Sequence, residues 1–96
     1  MADLLQAAIE RSRVDFLRTN LDLWGTFVDL AKTEREIGDR AAAHRVLEKA
    51  ETGYATVLRM SADVQNPDQK NDIEQRLADL RSKLDDERHC LNAPPA

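Results

Sequence analysis

Two apolar patterns run through the first third of the chain. One set of residues alternates steps of three and four, and a second set recurs every seven residues; both spacings are typical of an α-helix that packs along its length. The first set is Val14, Leu17, Leu21, Trp24, Val28 and Ala31. The second set is Ile9, Phe16, Leu23, Leu30 and Ile37, and Phe27 joins it. Together they cover close to half of a helix circumference, which predicts that this helix packs against two others.

Capping residues divide the chain into three helical runs. Asp3 precedes the first apolar stretch as an N-cap residue would, and the helical periodicity continues to Ile37. Gly38-Asp39 is typical of a left-handed helix end followed at once by the cap of the next helix. Asn66-Pro67 indicates the start of a third helix, which we expect to end near Cys90.

The second and third runs carry apolar seams of their own. The second shows Ala43, Leu47, Ala50, Tyr54, Val57 and Val64, and the third shows Ile73, Leu77, Leu80 and Leu84. Because the connections are short, successive helices should be antiparallel neighbours. The sequence therefore predicts an all-α domain over residues 1–91, an antiparallel up-down-up three-helix bundle with a long first helix. Residues 92–96, which include two prolines, are expected to form a flexible tail.

The first helix should be longer than the bundle it joins. Residues 4–37 would span roughly 50 Å, whereas the other two helices would reach about 36 Å. One end should then protrude and leave Leu4, Leu5 and Ile9 uncovered. We expect this end to join a second copy of the chain or a partner helix; fraying in solution is the alternative.

Composition and charge restrict the classes of partner. The chain has 96 residues, 33% of them charged, and a formal net charge of −4, which repels phosphate. Neither nucleic acid nor an anionic membrane is therefore an expected partner, and no segment approaches the roughly 20 apolar residues that span a bilayer. The first residues lack the pattern of a secretory signal, and the single cysteine, Cys90, suits a reducing cytoplasm.

The sequence contains none of the common catalytic motifs. The sequence has no glycine-rich phosphate loop, nucleophile elbow or helical His-Glu-x-x-His, so we expect neither an enzyme nor a cofactor. His44, His89 and Cys90 are weak candidates for metal ligands, because the start of the second helix and the end of the third should meet in space. Trp24 is expected to fill space between helices rather than to stack on a ligand. Gly25 and Gly53, inside helices, suggest close helix crossings.

The first two runs resemble a tetratricopeptide-type helical hairpin. The residues that carry this resemblance are Gly38-Asp39 at the turn, Ala43, Leu47 and Ala50 after it, and Phe27 and Leu30 before it. With the third run included, residues 17–88 are similar to the microtubule-interacting and trafficking (MIT) domain. The matching residues are Gly38, Asp39, Ala43, Asn66-Pro67, Lys70, Ile73, Arg76, Leu77 and Leu80. The resemblance implies a non-catalytic domain that binds short peptide segments in grooves between its helices.

These observations favour a non-enzymatic adaptor that binds a partner peptide or helix. Its expected interaction residues are Leu4, Leu5 and Ile9 at the protruding end, and Leu77, Leu80 and Leu84 along the third helix. One alternative is a structural homo-oligomer, such as a homodimer formed through the start of the first helix. Another alternative is a small metal- or ligand-binding bundle centred on the histidines and the cysteine.

Overall fold

The computed structural model describes residues 2–93, which form three helices and no strands. They are α1 (Ala2–Glu36), α2 (Arg40–Ser61) and α3 (Pro67–Asn92). The prediction of an all-α fold of three helices with a long first helix is confirmed, since α1 has 35 residues, α2 has 22 and α3 has 26.

The turn between α1 and α2 forms where the glycine predicts it. Gly38 adopts a left-handed backbone with φ of 94°. The backbone N–H groups of Gly38 and Asp39 donate to the carbonyl oxygens of Arg35 and Glu34 at 3.1 and 2.9 Å. This pair of bonds satisfies carbonyls that the end of α1 would otherwise leave open. The carboxylate of Asp39 then accepts from the N–H of Ala42 at 3.0 Å and caps α2.

The start of α3 also follows the predicted cap. The side-chain oxygen of Asn66 accepts from the backbone N–H groups of Asp68 and Gln69 at 3.0 and 3.1 Å. Pro67 occupies the first helical position, where a missing N–H costs nothing. These two observations explain why the helix begins at this residue.

The end predicted for α3 near Cys90 is wrong by two residues. Leu91 is buried, and the guanidinium of Arg40 donates to the backbone carbonyls of Leu91 and Ala93. This tertiary contact continues the last turn through Asn92, a residue assigned to the tail from the sequence. Residues 94–96 of the predicted tail lie outside the described residues.

Contacts between helices establish their relative directions. Arg18 of α1 bonds to Asp72 of α3, and Asp29 of α1 bonds to Lys83 of α3. In both pairs the two residues are 54 positions apart in the sequence. A constant separation means that α1 and α3 run in the same direction. In contrast, the carboxylate of Glu10 accepts from the N–H of Gln65, just beyond the end of α2. Helix α2 therefore runs in the opposite direction, and its end lies beside the start of α1.

The core lies along a single line between the three helices. On α1 it uses the set with steps of three and four, except that Trp24 is only half-buried. The buried apolar residues are Val14, Leu17, Leu21, Val28, Ala31, Ala43, Leu47, Ala50, Val57, Val64, Ile73, Leu77, Leu80, Leu84 and Leu91. The molecule is elongated, with extents of 61 × 17 × 15 Å, so much of α1 lies at the surface.

Candidate protein-docking face

The apolar residues that recur every seven positions, four in α1 and Ile37 directly after its end, lie on the solvent side of the helix. Ile9, Phe16, Leu23, Leu30 and Ile37 make up this surface, which we call the α1 stripe, and their exposed fractions range from 43% at Leu30 to 72% at Ile37. The expectation that both apolar sets of α1 are buried is wrong for this set. The two neighbours of α1 lie on adjacent sides of it, so one set suffices to contact both, and the opposite side is left open.

The geometry of the α1 stripe is that of a helix-packing seam. A straight α-helix drifts by about 20° per seven residues, which adds up to about 80° from Ile9 to Ile37, so the five side chains follow a gradual spiral along one side of the helix. From Ile9 to Ile37 the stripe covers roughly 42 Å at 1.5 Å per residue. A row of exposed large apolar side chains of this length suggests an interaction surface, although polar residues such as Thr26 and Thr33 separate its members.

Beside the stripe lies a groove between α1 and α2 with a volume of about 790 Å³. We call it the α1–α2 groove. Phe16 belongs to both surfaces, so the groove continues the stripe sideways. Its apolar lining is completed by Trp24, Phe27, Gly53, Val57 and Met60. Arg45, Glu48 and Lys49 of α2 also line it.

The floor of the groove depends on Gly53. A Cβ built on Gly53 would lie 2.0 Å from Cε2 of Trp24, so only a glycine lets the indole lie against α2. Phe27 meets the indole edge to face, with ring centroids 5.0 Å apart. Trp24 thus fills space between two helices, as predicted, while also lining the groove. The parallel expectation for Gly25 is wrong, because a Cβ there would meet no atom within 4 Å.

The uncharged polar side chains of the groove already have hydrogen-bond partners within their own helices. The amide nitrogen of Asn20 donates to the carbonyl of Phe16 at 2.8 Å. The hydroxyls of Thr52 and Thr56 donate to carbonyl oxygens one turn earlier, at 3.1 Å. These groups would keep their bonds if a partner displaced water, so covering the groove need not leave them unsatisfied.

The protruding end of α1 is exposed as its sequence leads one to expect. Glu10 lies level with Gln65, so residues before Glu10 extend past the end of α2. Leu4 and Leu5 are 79% and 65% exposed, and Ile9 belongs to the α1 stripe. Whether these three residues contact a partner stays a prediction.

The expectation that Leu77, Leu80 and Leu84 line a docking groove is wrong. All three are buried, and Leu84 has no exposed surface. The seam of α3 is narrow because it faces both other helices at once, and therefore α3 needs every apolar residue for the core. No apolar side chain of this seam is left for a partner.

Ion pairs, rather than an open apolar surface, surround α3. The carboxylate of Glu87 is buried and accepts from Nε of Arg35 at 2.6 Å, which raises the pKa of Arg35. Arg81 donates to Glu51, and to Asp85 in the same helix; both bonds raise the pKa of Arg81. These contacts join α3 to both α1 and α2.

A second group of ion pairs lies near the start of α3. Nε of Arg18 donates to Asp72 at 3.0 Å, and this bond lowers the pKa of Asp72. Arg76 bonds the same carboxylate at 3.2 Å. Every buried side-chain nitrogen or oxygen within residues 2–93 has a hydrogen-bond partner. The charged groups of this cluster are therefore paired with one another within the fold.

The three candidate metal ligands are not assembled into a site. His44 is half-buried on α2, whereas His89 and Cys90 are exposed on α3. In the part of the chain that the structure describes, no three His, Cys, Asp or Glu side chains are placed to hold one metal ion. The metal-binding alternative thus has no support from geometry.

Comparison with known proteins adds no evidence on the role of this face, so its geometry is the main evidence. No protein-family model, curated protein or solved structure matches this chain. The resemblance to the MIT domain accordingly stays a prediction. Among the helices of residues 2–93, none combines the length and the apolarity needed to cross a bilayer.

The α1–α2 groove itself was not foreseen from the sequence. Phe16 and Phe27 were assigned to a packing face of the first helix, and nothing indicated that they border an open surface. A signal does exist in the second helix, where Thr52, Gly53 and Thr56 are small residues opposite the aromatic residues of α1. Small side chains facing large ones leave a depression when the backbones are already in contact.

Proposed function

We propose that this protein is a non-enzymatic interaction module that binds an amphipathic helix along the α1 stripe and the α1–α2 groove. The observation that carries the proposal is the exposed stripe, which recurs every seven residues and shares Phe16 with the groove. A partner helix with the same period would match this surface along its whole length.

The energetics of burial favour a helix over a short peptide. Complete burial of a large apolar side chain contributes about 1.5–3 kcal/mol. The stripe residues are roughly half-exposed, so each has about 1 kcal/mol left to contribute, and the five together have about 5 kcal/mol. Association costs about 4–15 kcal/mol. A stable complex thus needs an extended partner that covers the whole stripe and enters the groove with apolar residues of its own.

Two sequence features agree with this proposal. MIT-like domains bind peptide segments between helices, although the groove here lies between α1 and α2 and not beside α3. The exposed thiol of Cys90 is suited to a reducing compartment, which supports a cytoplasmic location as part of the proposal.

Site-specific photo-crosslinking in the native host tests the proposal. A benzophenone amino acid at Phe16 should give a discrete crosslinked product, because the partner helix would lie against that ring. The matched control is the same amino acid at Gln75, which is exposed on α3 and outside the proposed face. The proposal fails if position 16 gives no discrete product, or only the products that position 75 gives.

A further inference from the structure

We infer that the helix covering the α1 stripe is α1 of a second copy of this chain, antiparallel to the first and centred on Leu23. This inference deepens the proposed function and rests on it, since it names the partner of the same surface. It also differs from a dimer made only by the protruding end, because the whole length of α1 takes part.

The spacing of the residues along the stripe is symmetric about Leu23, and only Phe16 and Leu30 differ in residue type between equivalent positions. Ile9 and Ile37 each lie fourteen residues from Leu23, while Phe16 and Leu30 each lie seven residues from it. A two-fold axis through Leu23 would therefore place isoleucine against isoleucine, phenylalanine against leucine, and Leu23 against its own copy. An interface with two-fold symmetry requires a surface that is complementary to itself, and this stripe meets the requirement.

The acidic residues beside the stripe do not prevent such pairing. Asp15, Asp22 and Asp29 also recur every seven residues, and two copies would bring these like charges near each other. Each carboxylate lies within ion-pair distance of a cation of its own chain: Arg18 at 3.9 Å, Arg76 at 3.8 Å and Lys83 at 3.2 Å. Arg18 of α1, together with Arg76 and Lys83 of α3, thus offsets part of the negative charge that would otherwise oppose association.

The threonines that border the stripe can be covered without losing hydrogen bonds. The hydroxyls of Thr26 and Thr33 donate to the carbonyls of Asp22 and Asp29, each at 3.1 Å. Their bonding needs are met inside α1, so a neighbouring helix can approach them closely.

The stripe alone supplies about half of the area of a standard dimer interface, so the groove must contribute as well. A helix about 10 Å wide laid along a stripe of roughly 42 Å would cover on the order of 400 Å² in projection. The α2 wall of the groove adds to this, and stable interfaces bury about 800 Å² on each partner. In the antiparallel arrangement centred on Leu23, the partner's turn at residues 37–39 lies opposite residues 7–9, so Leu5 extends just beyond that turn.

Sedimentation of the full chain across micromolar concentrations tests the inference. Wild-type protein should be a dimer, and Leu23→Asp should weaken the dimer by roughly 100-fold or more, because it places two carboxylates at the centre of the seam. The matched control is Leu58→Asp on α2, since Leu58 is similarly exposed at 48% but lies outside the stripe. Circular dichroism should show that both variants remain helical.

Cysteine crosslinking in a Cys90→Ser background establishes the direction of the two helices. Leu23→Cys should form a disulfide with its own copy, and Ile9→Cys should crosslink with Ile37→Cys when the two variants are mixed. A disulfide between two copies of Ile9→Cys would overturn the antiparallel arrangement.

Two results overturn the inference altogether. One is a monomeric wild-type protein, and the other is a dimer that Leu23→Asp and Leu58→Asp weaken equally. If the protein is monomeric but position 16 crosslinks to another protein, the proposed function stands and only the second copy is rejected. If neither a dimer nor a discrete crosslink forms, both fail.

Discussion

Replacing Gly53 by alanine tests the close approach of α1 and α2 directly. The new methyl group would lie 2.0 Å from Cε2 of Trp24 and 2.3 Å from two further indole atoms. Carbon atoms pack best at about 3.5–4.0 Å, so the ring must retreat by more than about 1 Å or rotate out of its place. Either movement disturbs the contact with Phe27 and the floor of the groove.

The net effect combines two opposing terms. Alanine in a helix interior is favoured over glycine by about 0.5–1 kcal/mol. Overpacking a filled site costs typically 1–3 kcal/mol. We therefore expect Gly53→Ala to lower the free energy of unfolding by about 1–2 kcal/mol, which for a domain of this size corresponds to a fall in Tm of roughly 5–15 °C.

Gly25→Ala is the matched control, because a Cβ at Gly25 meets nothing within 4 Å. It should raise the free energy of unfolding by about 0.5–1 kcal/mol. Thermal unfolding followed by circular dichroism measures both changes at one protein concentration. Trp24 is the only tryptophan, so its emission reports the indole environment and should shift to the red in Gly53→Ala alone. If Gly53→Ala is as stabilising as Gly25→Ala, the contact between Trp24 and Gly53 does not exist.

Two further predictions concern α3. Leu84→Ala should lower the free energy of unfolding in urea by about 2–5 kcal/mol, because Leu84 is fully buried. Leu58→Ala, at an exposed position, should lower it by less than about 1 kcal/mol. Similar losses in the two variants would contradict a core role for Leu84. The bond from Arg18 lowers the pKa of Asp72 in the folded protein. The stabilisation from this pair is therefore fully present above the ordinary aspartate pKa of about 3.9. It is lost as the pH falls through the lower pKa of the folded state. Asp72→Asn should thus lower the free energy of unfolding at neutral pH and lower it progressively less as the solution becomes acidic. Urea titrations at neutral and at acidic pH measure this difference. An equal loss of stability under the two conditions would refute the ion pair between Arg18 and Asp72.

Local chemistry explains which features could be predicted. The left-handed Gly38, the Asp39 cap and the Asn66-Pro67 start involve only residues within a few positions of each other. Such contacts form in nearly the same way in any tertiary setting. The end of α3 could not be placed by the same means, because Arg40, about fifty residues away, bonds to its last carbonyls.

Apolar periodicity predicted which residues share a side of a helix, but not which side is covered. Leu77, Leu80 and Leu84 were expected to face a partner, yet they are buried, whereas Phe16 and Leu23 were expected to be buried, yet they are exposed. Both sets have helical spacing, and spacing alone contains no information on where the neighbouring helices lie.

The sequence by itself determined the three helices, the caps of α2 and α3 and the residues on each apolar side, since these depend on backbone preferences and on a period of 3.6 residues. Asp3, expected to cap α1, instead lies inside its first turn. Only the tertiary structure decided which α1 surface remains open and that Trp24 and Gly53 form the floor of a groove. The physical reason is that burial depends on where whole helices pack in space. That arrangement is set by long-range packing and ion pairs such as Arg35–Glu87, which join residues 52 positions apart.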